Sequence, residues 1–130
     1  MGARYFRYSI KSNEWNRGPN MRTARKNHTS CALDEYLYVF FGTSLNYESP
    51  VLTIERLAVD NARAKWEAIR VLRDDNNVCA YRRPCVAPLN QTEIIFMGGN
   101  LSKGNSKVFT FDVKKISFEK VLDDTHLKFK

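Results

Sequence analysis

Two short apolar runs interrupt the alternation of polar and apolar positions along the chain, Tyr36-Leu-Tyr-Val-Phe-Phe-Gly42 and Glu93-Ile-Ile-Phe-Met-Gly-Gly99. Both are too short for an ordinary helix or a membrane span. β-Branched and aromatic residues dominate them, which predicts strands buried on both faces. The terminal glycines suit a positive φ or the close approach of another strand. Around each run the same order of signals recurs. A short strand at 30–33 and the Asp34-Glu35 turn precede the first run, and a loop over 42–50 follows it. Strands at 51–59 and 66–70 then flank the Asp60-Asn61 turn. After the charged stretch 72–83, a strand at 85–89, a turn at 90–92 and the second run over 93–97 repeat the order. The loop 98–106, a strand at 107–112, a turn at Lys114-Lys115 and a strand at 118–121 complete the second unit.

Upstream, residues 5–10 alternate as a strand, Lys11–Glu14 reads as a turn, and Trp15 opens a second strand, so the pair predicts a hairpin. A polar connection over 19–30 follows. Ala, Arg, Glu and Leu also favour a helix over 52–72 locally, but Asp60-Asn61 interrupts it and the neighbouring copies of the pattern select strands. The tail 122–130 is charged and reads as a frayed end or the start of another unit. Tyr8 precedes Trp15, Val59 precedes Trp66 and Phe111 precedes Phe118 by 7 residues each, and the steps Trp15–Trp66 and Trp66–Phe118 are 51 and 52 residues. A period of about 50 residues with four strands per unit belongs to a radial β-propeller. In that arrangement Trp15 and Trp66 are wedges between neighbouring units, each burying roughly 200 Å² for about 5 kcal/mol gross.

Composition changes this picture little. The chain has 130 residues, which makes it one domain at most or part of one, and 43% of them are hydrophobic, enough for a packed core. Three cysteines, Cys31, Cys79 and Cys85, and no secretory leader predict reduced thiols in a cytoplasmic protein. Cys31 lies in a strand-like stretch and reads as a small core residue. The net charge of +7 is uneven: residues 1–30 carry +6 and residues 31–60 carry −4. Such a basic segment suits an acidic partner or nucleic acid, or a solvated face. Catalytic chemistry has no footing. His28 and His126 are too few for an acid–base cluster, and Cys79, Cys85 and His28 fit no zinc spacing. Gly98–Gly104 lacks the order and the helix context of a phosphate loop, and no nucleophile–base pair is suggested.

Taken together, Pro19-x-Met21, Arg25, His28, the run Tyr36–Phe41, the pair Gly98-Gly99 and Trp15 or Trp66 on the fourth strand resemble the kelch repeat family. The resemblance covers about residues 5–121. It departs from the family pattern where Phe41 replaces the first glycine of a pair and where Phe118 replaces a tryptophan. It implies an all-β fold of four-stranded antiparallel kelch blades, here an incomplete β-propeller of two and a half units. Residues 1–18 are then the second half of a blade, 19–70 and 71–121 are blades, and 122–130 is a tail. Blades with an uncovered face need further blades or another chain to complete the ring. The implied function is a protein–protein interaction module of adaptor or scaffold type, without enzymatic activity or cofactor. Some kelch-like propellers are oxidases with copper held by Tyr and His, and that constellation is absent. The loops expected at the binding face carry Arg22, Arg25, Arg82 and Arg83, Tyr47 in Thr43–Pro50, and Asn100 and Lys103 in Asn100–Ser106. The alternative is a nucleic-acid-binding basic domain. Against it, the aromatics fall at repeat positions instead of interleaving with Lys and Arg on a free surface.

Overall fold

The computed structural model describes residues 2–46, 49–71, 83–98 and 108–122, all of them in strands, turns and connections. A hairpin pairs β1 (Phe6–Ser9) with β2 (Glu14–Arg17). The first four-stranded sheet runs in sequence order through β3 (Thr29–Leu33), β4 (Tyr36–Phe40), β5 (Ile54–Ala58) and β6 (Glu67–Ile69). The second repeats that order with β7 (Cys85–Pro88), β8 (Glu93–Met97), β9 (Val108–Asp112) and β10 (Ser117–Leu122). Every pairing is antiparallel. The protein is therefore all-β, and the helix that local propensity allows over 52–72 gives way to β5 and β6. Tertiary pairing overrides the propensity: Ile54–Arg56 is bonded to β4 on one side and to β6 on the other.

The two sheets repeat in backbone conformation as well as in order. Phe41 and Gly98 directly follow β4 and β8, and both are left-handed, at φ 51° and 69°. Asn27 and Arg83 each stand two residues before β3 and β7, at φ 55° and 54°. Asn13 and Ile116 immediately precede β2 and β10, at φ 57° and 53°, which places the hairpin in register with the outer half of a four-stranded sheet. Gly42 fulfils both expectations for a terminal glycine. Its φ is 95°, and a Cβ there would stand 2.5 Å from the Lys26 carbonyl oxygen.

The core forms between facing sheets. Alternation along β4 sends Tyr38 and Phe40 toward the second sheet, where they meet Ile94, Phe96, Phe109, Phe111 and Phe118. The ring of Phe40 lies edge-on to Phe96 at 4.8 Å and to Phe111 at 5.6 Å, the offset geometry aromatic quadrupoles favour. Val39, on the other face of β4, packs with Leu57 and Trp66. Burial on both faces, expected from the apolar run, holds for β4. The second run differs. Ile94 and Phe96 of β8 are buried, whereas Met97 on the opposite face is 44% exposed, because no third sheet covers that side among the described residues.

The repeat-position aromatics separate in the same way. Trp66 is 4% exposed. Its indole N–H donates to the Pro19 carbonyl at 2.9 Å, and the Tyr5 ring meets it edge-on at 5.7 Å. It thus seals the hairpin segment onto the first sheet. Phe118 is buried and packs on Phe41, Phe96 and Phe111, sealing the second sheet onto the first. Trp15 does not act as a wedge: it is 70% exposed and touches only Tyr8 among the described aromatic rings, at 5.2 Å. Nothing described packs against that face of the hairpin, so the ring has no second surface to fill. Trp66→Ala is expected to lose about 3–5 kcal/mol of unfolding free energy, and Trp15→Ala less than about 1 kcal/mol. Urea unfolding followed by far-UV circular dichroism measures both, and similar losses would contradict the asymmetry of packing.

Candidate functional site: the loop surface at the Gly42 end

All sheets share two ends. At one, the Asp34 end, lie the turns between β3 and β4, β5 and β6, β7 and β8, and β9 and β10. Hydrogen bonds from Val59 N–H to the Glu35 carbonyl and from Val113 N–H to the Thr92 carbonyl, both 2.9 Å, knit them together. At the other, the Gly42 end, lie the connection leading into β3, the loop following β4 and the residues leading into β7. The sequence-predicted partner residues that are described, Arg22, Arg25 and Arg83, belong to this second end.

The connection into β3 is held by one buried ion pair. Glu55, on β5, points to the face of the first sheet that carries Val39 and Leu57, and its side chain is wholly buried, as is that of Arg25. The Arg25 guanidinium donates to Glu55 Oε1 at 2.6 Å, to the Thr53 carbonyl at 2.7 Å and hydroxyl at 3.1 Å, and to the Phe41 carbonyl at 3.1 Å. Glu55 also accepts the backbone N–H groups of Arg22 at 2.7 Å and Thr23 at 2.9 Å. Burial lowers the Arg25 pKa from its ordinary value, and the hydrogen bond and charge of Glu55 oppose that shift, so the guanidinium remains charged. The expectation that Arg25 offers its charge to a partner is corrected here. With 2% of its surface exposed, it is a structural clamp. The reason is the sheet geometry: the left-handed Phe41 leaves a carbonyl without a strand partner, and Arg25 fills that role. Glu55 was missed as the other half of the clamp. The available signal was a carboxylate that alternation places on the same face as the apolar Leu57, with Arg56 on the other face.

Around this clamp the outer side chains assemble. Lys26 and Thr43 exchange backbone hydrogen bonds at 2.9 and 2.8 Å. The loop that carries Tyr47 therefore springs from a point fixed beside the connection into β3. Asn27 donates to the Thr43 hydroxyl at 3.4 Å and accepts from the Arg83 guanidinium at 3.1 and 2.5 Å. Arg83 is 56 positions from Asn27 in sequence, yet the equivalent left-handed turns before β3 and β7 set them side by side. Both Arg22 and Arg83 are exposed. The fold thus brings Asn27, Thr43 and Arg83 together, with Arg22 anchored through its backbone on Glu55. Tyr47, Arg82, Asn100 and Lys103 lie outside the described residues. A cleft of about 420 Å³ adjoins the connection, with Arg4, His28 and Ser30 among its polar lining and Leu37, Val39 and Trp66 among its apolar lining.

The cysteines sort by environment. Burial raises the Cys31 thiol pKa, and Cys85 is exposed; Cys79 lies outside the described residues. Alkylation of the native protein should label Cys85 and spare Cys31 until unfolding, as peptide mapping would read. Early labelling of Cys31 would contradict its burial.

No protein-family model matches the chain, and no curated protein matches it significantly. The site is therefore interpreted from its own residues. Arg25→Ala is expected to cost about 3–5 kcal/mol of stability, since it strands the Glu55 carboxylate in the interior. Arg83→Ala should change stability by only about 0.5 kcal/mol, as exposed substitutions do. Urea midpoints compare the two, and a nearly neutral Arg25→Ala would overturn the clamp.

Proposed function

We propose that the chain is a segment of a kelch-repeat β-propeller and works as a protein–protein interaction module of adaptor type, with its partner surface at the Gly42 end. The observation that carries this reading is the bridge Thr43–Asn27–Arg83, which ties three connections from two sheets together, from the buried Thr43 to the exposed Arg83. The matching order, register and left-handed positions of the two sheets support the repeat assignment. The uncovered face bearing Met97 and the exposed Trp15 suit a segment flanked by further units. Exposed arginines held on a fixed backbone are frequent centres of binding energy at protein interfaces, and a surface of loops on a rigid sheet scaffold is the usual site of recognition.

A nucleic-acid interface draws on the net charge of +7 and on the basic first 30 residues. The Arg25–Glu55 pair takes one of those cations out of any phosphate-facing surface, so the protein-binding reading is the stronger. Binding partners retained by the immobilised parent chain should be lost on the double variant Arg22→Glu, Arg83→Glu, with affinity falling about tenfold or more. They should be kept on Lys114→Glu at the Asp34 end. Equal loss on both variants would overturn the placement of the surface. A retained ligand that proves to be nucleic acid, with affinity falling steeply between low and moderate salt, would overturn the protein-binding reading itself.

A further inference from the structure

The two ends of the sheets differ in charge. Apart from Glu55 and Glu119, the described carboxylates stand in or beside the turns of the Asp34 end, or in the hairpin turn aligned with them. Asp34 and Glu35 form the turn between β3 and β4, Asp60 follows β5, Glu93 opens β8 and Asp112 closes β9. Cations are mixed in among them: the backbone N–H groups of Lys114 and Lys115 donate to the Asp112 carboxylate, both at 2.8 Å. The Gly42 end has the opposite make-up. Arg4 lies beside the connection into β3, Arg22 within it, Arg70 directly after β6 and Arg83 before β7, and each of them is exposed. Glu55, the carboxylate described at that end, is buried and committed to Arg25. The ion pairs between described residues are Arg25–Glu55 and Arg56–Glu67, so none of these exposed arginines meets a carboxylate among the described residues.

We infer that the surface at the Gly42 end takes a carboxylate-rich polypeptide segment, received by Arg22 and Arg83. The inference rests on the partner surface proposed above and adds the chemistry of the partner. Both arginines are held before any partner arrives. The Arg22 backbone is fixed by its N–H bond to Glu55 at 2.7 Å. Arg83 directs Nε and Nη2 at the side-chain carbonyl oxygen of Asn27. That acceptor is neutral, so it orients the guanidinium and leaves its charge uncompensated. A guanidinium oriented in advance loses less freedom when a carboxylate docks, and its planar fork matches the two carboxylate oxygens. Glu55 does not compete from inside, because its oxygens already accept from Arg25, Arg22 and Thr23. Leu52, in the connection between β4 and β5, is 61% exposed and offers an apolar contact at the same end, which suits a segment with apolar residues among its acids. Binding of single-stranded nucleic acid draws on aromatic rings that stack bases, and the exposed aromatics described, Phe6, Tyr8 and Trp15, belong to the hairpin.

Fluorescence anisotropy of a labelled peptide that alternates Glu and Leu, titrated with the full chain at physiological salt, tests the inference. A peptide with Gln at every Glu position should bind about tenfold more weakly or worse. The Glu peptide should lose as much on the variant Arg22→Gln, Arg83→Gln, whose far-UV spectrum should match the parent's because both side chains are exposed. The variant Arg22→Glu, Arg83→Glu should prefer a peptide that alternates Lys and Leu. Glu and Gln peptides that bind alike, and both weaken on Arg22→Gln, Arg83→Gln, overturn the acidic preference and leave the surface in place. No binding of the Glu peptide overturns the inference too, and the surface stands if partners retained by the parent are still lost on Arg22→Glu, Arg83→Glu. A Glu peptide that binds the Gln variant as it binds the parent, or weakens equally on Lys114→Gln, overturns the placement of the surface as well. Tighter binding of a peptide with phosphoserine at the Glu positions would replace carboxylate by phosphate, and displacement of the Glu peptide by a single-stranded oligonucleotide at lower concentration would replace polypeptide by nucleic acid; either result overturns the inference.

Discussion

The buried pair of Arg25 and Glu55 is the constraint on which the Gly42 end depends. A chain that leaves β4 through a left-handed residue gives up regular ladder bonding: the Phe41 carbonyl would be stranded inside the protein, and the Thr53 carbonyl keeps only a long bond, 3.4 Å, from the Phe41 N–H. Arg25 supplies several donors in a fixed fork and satisfies both carbonyls at once. Glu55 balances that charge and, through the N–H groups of Arg22 and Thr23, fixes the path of the chain into β3. A buried ion pair is poor evidence of net stabilisation against an apolar alternative. Its effect here is positional: it joins a connection, a strand end and a neighbouring strand at one point, and the exposed side chains of the surface are set from there.

Aromatic packing between sheets is the second constraint. The first sheet is the central layer, with the second sheet on one face and the hairpin segment on the other. That arrangement explains why β4 is buried on both sides while β8 is buried on one. It also explains why Trp66 and Phe118 are buried at the same repeat position where Trp15 is not. A wedge needs two surfaces, and each outermost unit offers one. The exposed aromatic face of the hairpin and the bare side of β8 are therefore consequences of the same layered order.

The candidate site illustrates how a repeat makes a surface. Asn27 and Arg83 occupy equivalent left-handed positions before β3 and β7, and the meeting of those strands' sheets turns sequence-distant equivalents into neighbours. Arg83, Asn27 and the Thr43 hydroxyl form a polar chain that runs from solvent to the buried base of the loop after β4.

The sequence by itself determined the strands, their order and their period. Apolar runs ending at glycine, turn residues at regular intervals and aromatics seven residues after a strand position are local signals, and each reports the backbone it sits on. The ten strands among the described residues, in three antiparallel groups, were legible for that reason. What the tertiary structure alone decided was which faces are covered and which charges are used internally. Trp15 and Trp66 carry the same local signal, and only the presence or absence of a neighbouring sheet separates them. Arg22 and Arg25 are both basic residues of one polar connection, and only the approach of Glu55 from a strand 30 residues away buries one and leaves the other in solvent. Burial and ion pairing are properties of chain segments brought together by folding, so a residue's own neighbours in sequence do not encode them.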